Sequence, residues 1–310
     1  MDTQPLTILV TGSSGFIGQH VVHHLAAAGH KIIGYDRIPP EDRFPEGSIY
    51  LCGDIRSDRL PYQGIDAVVH LAALAGVRPS MDLPFEYLSN NVTGTLRLLD
   101  HCRIHGIRHF VFASSSSVYG PDSPLPFAED GPADPLSPYA LTKLHGEQWG
   151  RLYARQYGIR FLALRFFSVW GPGQRPDLAL EAFKRRILAD QPVKIFGDGS
   201  QRRDLTHVED VARAIELACA WPGPGSAILN VGTGENHSVH EILEAARQEA
   251  AALQKSTSSF TDFTPQIDHQ PAHPADIPET RASIVAVGKA LGWAPRIRFP
   301  NRHPGEVKKV

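Results

Sequence analysis

The chain has 310 residues, enough for a substantial core and for one large domain beside a smaller one. A net charge of −2 and a pI near 6.7 exclude the strongly basic surface that binds nucleic acid. No apolar run reaches the ~18 residues a membrane-spanning helix needs, and Met1 to Pro5 carry neither the basic nor the apolar region of a signal peptide. A cytoplasmic protein with no membrane partner is expected.

Short apolar runs alternate with helical patterns over the first 170 residues. Residues 6–10 read as a buried strand, and 16–28 as a helix stopped by Gly29. Strands follow at 31–35, just before Gly53, and at 67–71. A helix over 85–105 stops at Gly106 and leads to a strand at 109–113. The helix that carries Tyr139 runs to about Tyr157, with a further strand at 160–164. This alternation predicts an α/β fold with a parallel sheet covered by helices on both faces. Beyond about residue 170 the pattern loosens, with helices predicted at 178–190, 207–220 and 238–252 and short strands near 193–196 and 227–231. The stretch 254–277 is rich in Ser, Thr, Pro and His and reads as loop-like or mobile.

Cys52, Cys102 and Cys219 are widely spaced and form no CxxC pair, which fits a reduced compartment. His20 and His24 are four apart on a predicted helix, but no ligand motif accompanies them. They read as helix-surface residues, and no metal is expected.

A glycine-rich turn, Gly12, Gly15 and Gly18, lies between the first strand and the first helix, with Phe16 and Ile17 inside it. Such a turn lets backbone approach a pyrophosphate that rests on the helix N-terminus. Asp36 closes the second strand 18 residues after Gly18. A carboxylate there accepts hydrogen bonds from a ribose hydroxyl and repels a 2′-phosphate, which favours NAD, while Arg37 keeps NADP open. Asp54, followed by Ile55, is placed to meet an adenine amino group; for both aspartates the other reading is turn chemistry. Farther on stand Ser115 and the pair Tyr139 and Lys143, one helical turn apart. A phenol of pKa about 10 is a poor base, and a lysine on the same helix face favours the phenolate. The same pair also arises by chance on amphipathic helices.

The ordered segments TGSSGFIG (11–18), GDI (53–55), VVHLAA (68–73), NNVTGTLRLL (90–99), FASSSSVYG (112–120), YALTK (139–143), LRFFSVWGPGQRPDLA (164–179) and QRRDLTHVEDVA (201–212) resemble the extended short-chain dehydrogenase/reductase family, specifically its nucleotide-sugar epimerases. The resemblance implies a Rossmann-type NAD-binding domain over 1–170, to which some later segments return, and a smaller, mainly substrate-binding α/β domain over 171–310. It assigns the base to Tyr139, and to Lys143 the nicotinamide ribose and the lowering of the tyrosine pKa. Ser115 is to hydrogen-bond the reacting hydroxyl, Asn91 to hold the Lys143 helix or a water, and Leu71, Ala72 and Ala73 to lie against the cofactor. The helices around 85–105 and 140–157 match the pair through which such enzymes form homodimers.

The same resemblance narrows the reaction. Related 4,6-dehydratases carry Asp-Glu where Ser116 and Ser117 stand, and related decarboxylases carry Glu at the second position. Neutral hydroxyls at both leave redox chemistry alone, and hence C4 epimerisation of a UDP-sugar. Arg203 matches the arginine that clamps the diphosphate, against the alternative of an ion pair to Asp204 or Glu209. A second family arginine is replaced by His273, three residues before Asp276, which is also counted with the substrate site. UDP-glucuronate 4-epimerases resemble this chain in AGVR (75–78), which contains Arg78, in a hydroxyl residue at Ser168, and in the RPD that contains Arg175. Ser116, Ser117 and Ser168 are expected to donate to the sugar carboxylate, with Arg175 orienting the segment or the charge. UDP-glucuronate is therefore the first expected substrate, and UDP-glucose or UDP-N-acetylglucosamine the alternative. A 4-ketosugar reductase and a non-catalytic NAD-binding regulator are the remaining readings.

Overall fold

The computed structural model describes residues 4–40, 44–56, 60–61, 63–255, 265–272 and 274–300. The first apolar run forms β1 (Thr7–Thr11), whose Ile8, Leu9 and Val10 are wholly buried, as a central parallel strand requires. After it come α1 (Phe16–Ala27), β2 (Lys31–Asp36), β3 (Ile49–Cys52), β4 (Ala67–His70), α2 (Val77–Asp82), α3 (Pro84–Tyr87), α4 (Gly94–His105), β5 (His109–Ser115), α5 (Pro138–Tyr157) and β6 (Arg160–Phe166). The later part holds β7 (Ser168–Trp170), α6 (Ala179–Leu188), β8 (Val193–Phe196), β9 (Arg202–Arg203), β10 (Leu205–His207), α7 (Val208–Cys219), β11 (Ser226–Val231), β12 (His237–Ser238), α8 (Val239–Lys255), β13 (Ile267–Gln270) and α9 (Val285–Leu291).

Seven strands form one parallel sheet in the order β11-β6-β5-β4-β1-β2-β3. The chain winds outward from β1 to β3 and then crosses back to β4, so a crevice opens beyond the carboxyl ends of β1 and β4, where such sheets bind ligands. Alternate side chains of β1 feed two cores. Ile8 and Val10 pack with Val22 and Leu25 of α1, Val211 and Ile215 of α7 and Val287 of α9. Leu9 faces the other way, toward Leu98 and Leu99 of α4 and Tyr153 of α5. Each such fully buried side chain contributes roughly 1.5–3 kcal/mol. A smaller core joins α6, α8 and β8 through Phe183, Ile187, Val193, Ile195, Ile242 and Ala246.

Two features depart from the sequence reading. The single helix predicted over 85–105 contains a π turn, Leu88–Thr93, between α3 and α4. The side chain of Asn91 in that turn faces inward, accepting from Leu74 N at 2.8 Å and donating to Leu74 O at 2.9 Å. These partners hold the widened turn. In the stretch read as loop-like, Ile267–Gln270 is a strand, because β8 offers it a parallel edge from Val193↔Ile267 to Phe196↔Gln270. The surface histidines of α1 also have partners, since His24 Nε2 meets Glu216 of α7 at 2.7 Å and His20 Nε2 meets Pro172 O at 2.9 Å. Among the described residues no group of His, Cys, Asp and Glu is arranged to hold a metal, and no helix is long and apolar enough to cross a membrane.

Candidate active site

The crevice is floored by the glycine-rich turn. Gly12 adopts φ +73°, and a Cβ there would sit 2.6 Å from Ala72 N; one on Gly18 would sit 2.0 Å from Gly12 O. Only glycines let the turn close on β4 and α1 close on the turn. Gly15 caps α1 with no side-chain hydrogen bond, and the first turn holds no acidic residue, so the helix N-terminus stays open to an anion. A cavity of about 320 Å³ runs from Gly12 and Gly15 past Leu71, Ala72 and Ala73 to Asp36, Asp54 and Ile55. Asp36 accepts from Ser14 N at 3.1 Å and Ile38 N at 3.2 Å, which aims its carboxylate across the end of β2. Asp54 is already engaged. Arg56 grips it from Nε at 3.0 Å and NH2 at 2.7 Å and holds its pKa below the usual carboxylate value. The carboxylate expected to meet an adenine amino group is thus already occupied by Arg56. A phosphate cradle, an open helix end and a carboxylate at the end of the second strand together fit a dinucleotide.

A second cavity, of about 460 Å³, shares Gly12, Gly15, Leu71 and Ala73 with the first and extends past Phe16, Ile17 and Gly18 to the trio Ser115, Tyr139 and Lys143. Ser115 ends β5, while Tyr139 and Lys143 sit in the first turns of α5. That helix starts where the sequence signals it, with Ser137 Oγ accepting from Ala140 N at 3.2 Å and Pro138 in the first turn. Lys143 is 5 % exposed and donates to Ala113 O at 2.8 Å; burial lowers its pKa to about 8. Asn91 lies behind the trio rather than in the cavity and donates to Thr142 Oγ1 at 3.1 Å, which ties the π turn to α5.

Tyr139 departs from expectation. Burial pushes its pKa up, and the Ser115 hydroxyl and the Arg175 charge only oppose that rise. Lys143 does not offset it, since its ammonium is turned to Ala113 O and lies 5.7 Å from the centre of the Tyr139 ring. Desolvation of a phenolate outweighs a partner that is itself desolvated and bonded elsewhere.

Beneath the trio lies a buried cluster that sequence reasoning missed. Glu147, 1 % exposed, accepts from Ser114 Oγ at 2.5 Å and from Arg165 Nε and NH2 at 2.8 Å each. The signal was present: Glu147 follows Lys143 by one helical turn, and Arg165 interrupts an apolar strand, where a charge needs a partner. Glu147 thereby fastens α5 to β5 and β6.

At the sugar end, Ser116, Ser117, Ser168, Arg175, Arg203 and Asp276 line the larger cavity. Arg78 does not; its guanidinium pairs with Asp276 at 2.9 Å and covers the Phe196 ring at 3.7 Å. Arg175 forms a fork on Asp177 at 3.0 and 2.9 Å. Arg203 makes no ion pair among the described residues. Burial lowers its pKa, and neighbouring Asp204 is committed to Thr233, Gly234 and Ala282. Ser117 departs from its expected role, because its hydroxyl donates to Ser115 Oγ at 2.8 Å rather than into the cavity. The expectation for His273 falls outside the described residues.

Sheet order, glycine turn and trio define a nucleotide-dependent enzyme of the α/β class. Residues 8–232 match the model of the NAD dependent epimerase/dehydratase family, and the chain belongs to that family. A UDP-glucuronate 4-epimerase of Thermodesulfobacterium geofontis is 37% identical, the match covering 93% of this chain and 91% of that protein. A UDP-glucose 4-epimerase of Azospirillum brasilense is 33% identical over 93% of this chain and 87% of its own length. Among solved structures, MoeE5 in complex with UDP-glucuronic acid and NAD superposes with a TM-score of 0.84 at 38% identity, covering 94% of each chain. MoeE5 has also been solved in complex with UDP-glucose and NAD. The cofactor of the family is NAD, which the cradle and Asp36 fit.

Proposed function

We propose that UDP-glucuronate is the substrate of this chain, an NAD-dependent nucleotide-sugar 4-epimerase, and that UDP-galacturonate is the product. The observation that carries the choice of sugar is the lining beyond Ser115, where the hydroxyls of Ser116 and Ser168 and the Arg175 guanidinium share the cavity with one carboxylate, Asp276, itself paired with Arg78. Such a lining offers donors and positive charge to a sugar carboxylate and, at positions 116 and 117, no acid or base for eliminating water or carbon dioxide. Arg203, desolvated and without an ion pair among the described residues, suits the diphosphate.

NAD, held by the glycine turn, Asp36 and Lys143, would supply the acceptor for the C4 hydrogen and its electron pair, and positive charge beside the trio. Tyr139, as phenolate, takes the proton of the C4 hydroxyl, which leaves a 4-keto sugar, and gives it back after the sugar has turned. Ser115 donates a hydrogen bond to the oxygen at C4. Lys143, fixed by Ala113 O, holds the nicotinamide ribose. No net oxidation results, so the cofactor need not leave between turnovers.

The same reading makes the protein a homodimer. Phe85, 82% exposed, and the exposed Leu88, Leu141 and Leu152 leave apolar side chains open to solvent along α3–α4 and α5, the helices expected to pair. Incubation of the purified protein with UDP-glucuronate, UDP-glucose and UDP-N-acetylglucosamine in parallel, with products identified by NMR, tests the substrate. UDP-galacturonate is expected from the first; activity confined to a neutral sugar overturns the choice.

A further inference from the structure

The hydroxyl of Ser115 is held in one hydrogen-bonding state by its own chain. Ser115 caps a single 3₁₀ turn, Ser116–Val118, closed by Tyr119 N donating to Ser116 O at 3.1 Å. Within that turn Ser115 Oγ accepts twice, from Ser117 N at 3.2 Å and from Ser117 Oγ at 2.8 Å. A hydroxyl has one proton and two lone pairs. Whenever Ser115 gives its proton to Tyr139 or the sugar, the 2.8 Å contact requires the Ser117 hydroxyl as donor, and both lone pairs of Ser115 are then occupied by one residue. In that state Ser117 has no proton left to give to an anion. The turn cannot swivel to relax this, because the preceding Ser114 is locked to the buried Glu147, and Glu147 to Arg165.

We propose that Ser117 is a positioning residue that makes Ser115 an obligate hydrogen-bond donor toward the Tyr139 phenolate and the C4 oxygen, and that it serves turnover rather than recognition of a sugar carboxylate. The inference rests on the 4-epimerase reading but not on the choice of UDP-glucuronate. A Ser115 free to rotate divides its time between donating and accepting, and while accepting it does nothing for a phenolate. With its lone pairs filled, it faces the phenol as a donor before the proton moves. It faces the C4 oxygen in the same way once the ketone has formed. The Ser115 hydroxyl already works against the upward shift that burial imposes on Tyr139, in agreement with this geometry.

The test uses the full-length enzyme with NAD bound and the variants Ser117→Ala and Ser117→Thr, on whichever UDP-sugars the wild type converts. Ser117→Ala is expected to lower kcat about tenfold, the worth of one well-placed hydrogen bond, with KM within about twofold for every sugar. The ascending limb of the kcat–pH profile moves to higher pH, since a less supported phenolate has a higher pKa. Ser117→Thr, which keeps the hydroxyl, restores both. A rise in KM for UDP-glucuronate alone, at unchanged kcat, overturns the inference, as does an alanine variant with wild-type kcat and pH profile. A second readout does not depend on turnover: the ultraviolet titration of Tyr139, taken as the difference from Tyr139→Phe, shifts upward in Ser117→Ala. Identical titrations in wild type and Ser117→Ala overturn the inference whatever the substrate proves to be.

Discussion

The redox end of the cavity and its sugar end are held by different kinds of bond. At the redox end the contacts are buried and mutual: Lys143 to Ala113 O, Asn91 to Thr142, and Glu147 to both Ser114 and Arg165, each within 3.1 Å. At the sugar end two arginines sit in exposed pairs, Arg175 (37% exposed) with Asp177 (58%) and Arg78 (40%) with Asp276 (27%), while Arg203 makes no ion pair among the described residues. A buried pair cannot be given up, because the charge left behind is stranded in a low dielectric. An exposed pair contributes about 0–1 kcal/mol and can be exchanged for a ligand anion. On the proposed function, the chemistry is thus held by buried bonds and the substrate contacts are left open to exchange.

The largest test removes the proposed base. Tyr139→Phe is expected to lower kcat by about 10²–10⁴-fold while the protein still carries NAD, measured as the cofactor released on denaturation. Equal loss of cofactor would move Tyr139 from the chemistry to the binding site. Next, Glu147→Ala leaves Arg165 buried and unpaired and should cost about 3–5 kcal/mol in urea denaturation. A loss below about 1 kcal/mol would erase the contrast between the two ends.

Acid should also act on the buried end first. His70 lies between Thr11 Oγ1 at 2.7 Å and Thr95 Oγ1 at 2.8 Å, and burial, with the Lys143 charge, lowers its pKa from 6.5 to about 3. His109, at the opposite end of β5 from Ser115, is lowered to about 4 by burial and Arg160. Because the folded values lie below the unfolded one, the unfolded chain binds more protons between these limits. The stabilisation is complete above pH 6.5 and drains away as pH falls toward 3, by up to about 1.4 kcal/mol per pH unit for each histidine. Thermal melts from pH 7 to pH 4 in His70→Asn, against wild type, should show a shallower loss.

The smallest effect on stability is expected at the sugar end. Arg203→Ala should raise KM for every UDP-sugar about tenfold or more while the unfolding free energy stays within about 1 kcal/mol. A large loss of stability would place Arg203 among the structural charges instead.

Elements whose cause is local were legible in the sequence to within a residue or two. The first strand, expected at 6–10, is Thr7–Thr11, and the first helix, expected at 16–28, is Phe16–Ala27. Apolar period, a glycine stop and the Ser137-Pro138 start of α5 act within a few residues. The π turn at Leu88–Thr93 was not legible, because Leu74 and Thr142, which hold it, come from other elements. Nor was β13, whose polar sequence becomes a strand only beside β8.

The same division runs through the site. The residue types at 12–18, 36, 115, 139 and 143, with their order, were enough to specify a dinucleotide, a hydroxyl, a phenol and an ammonium, since each depends on a side chain and its immediate spacing. Tertiary structure alone decided that Arg203 stays clear of Asp204, that Asp54 is gripped by Arg56 and that Tyr139 is pushed up rather than down. Charges and protons answer to everything packed around them, and desolvation, unlike hydrophobic period, is a property no short stretch of chain contains.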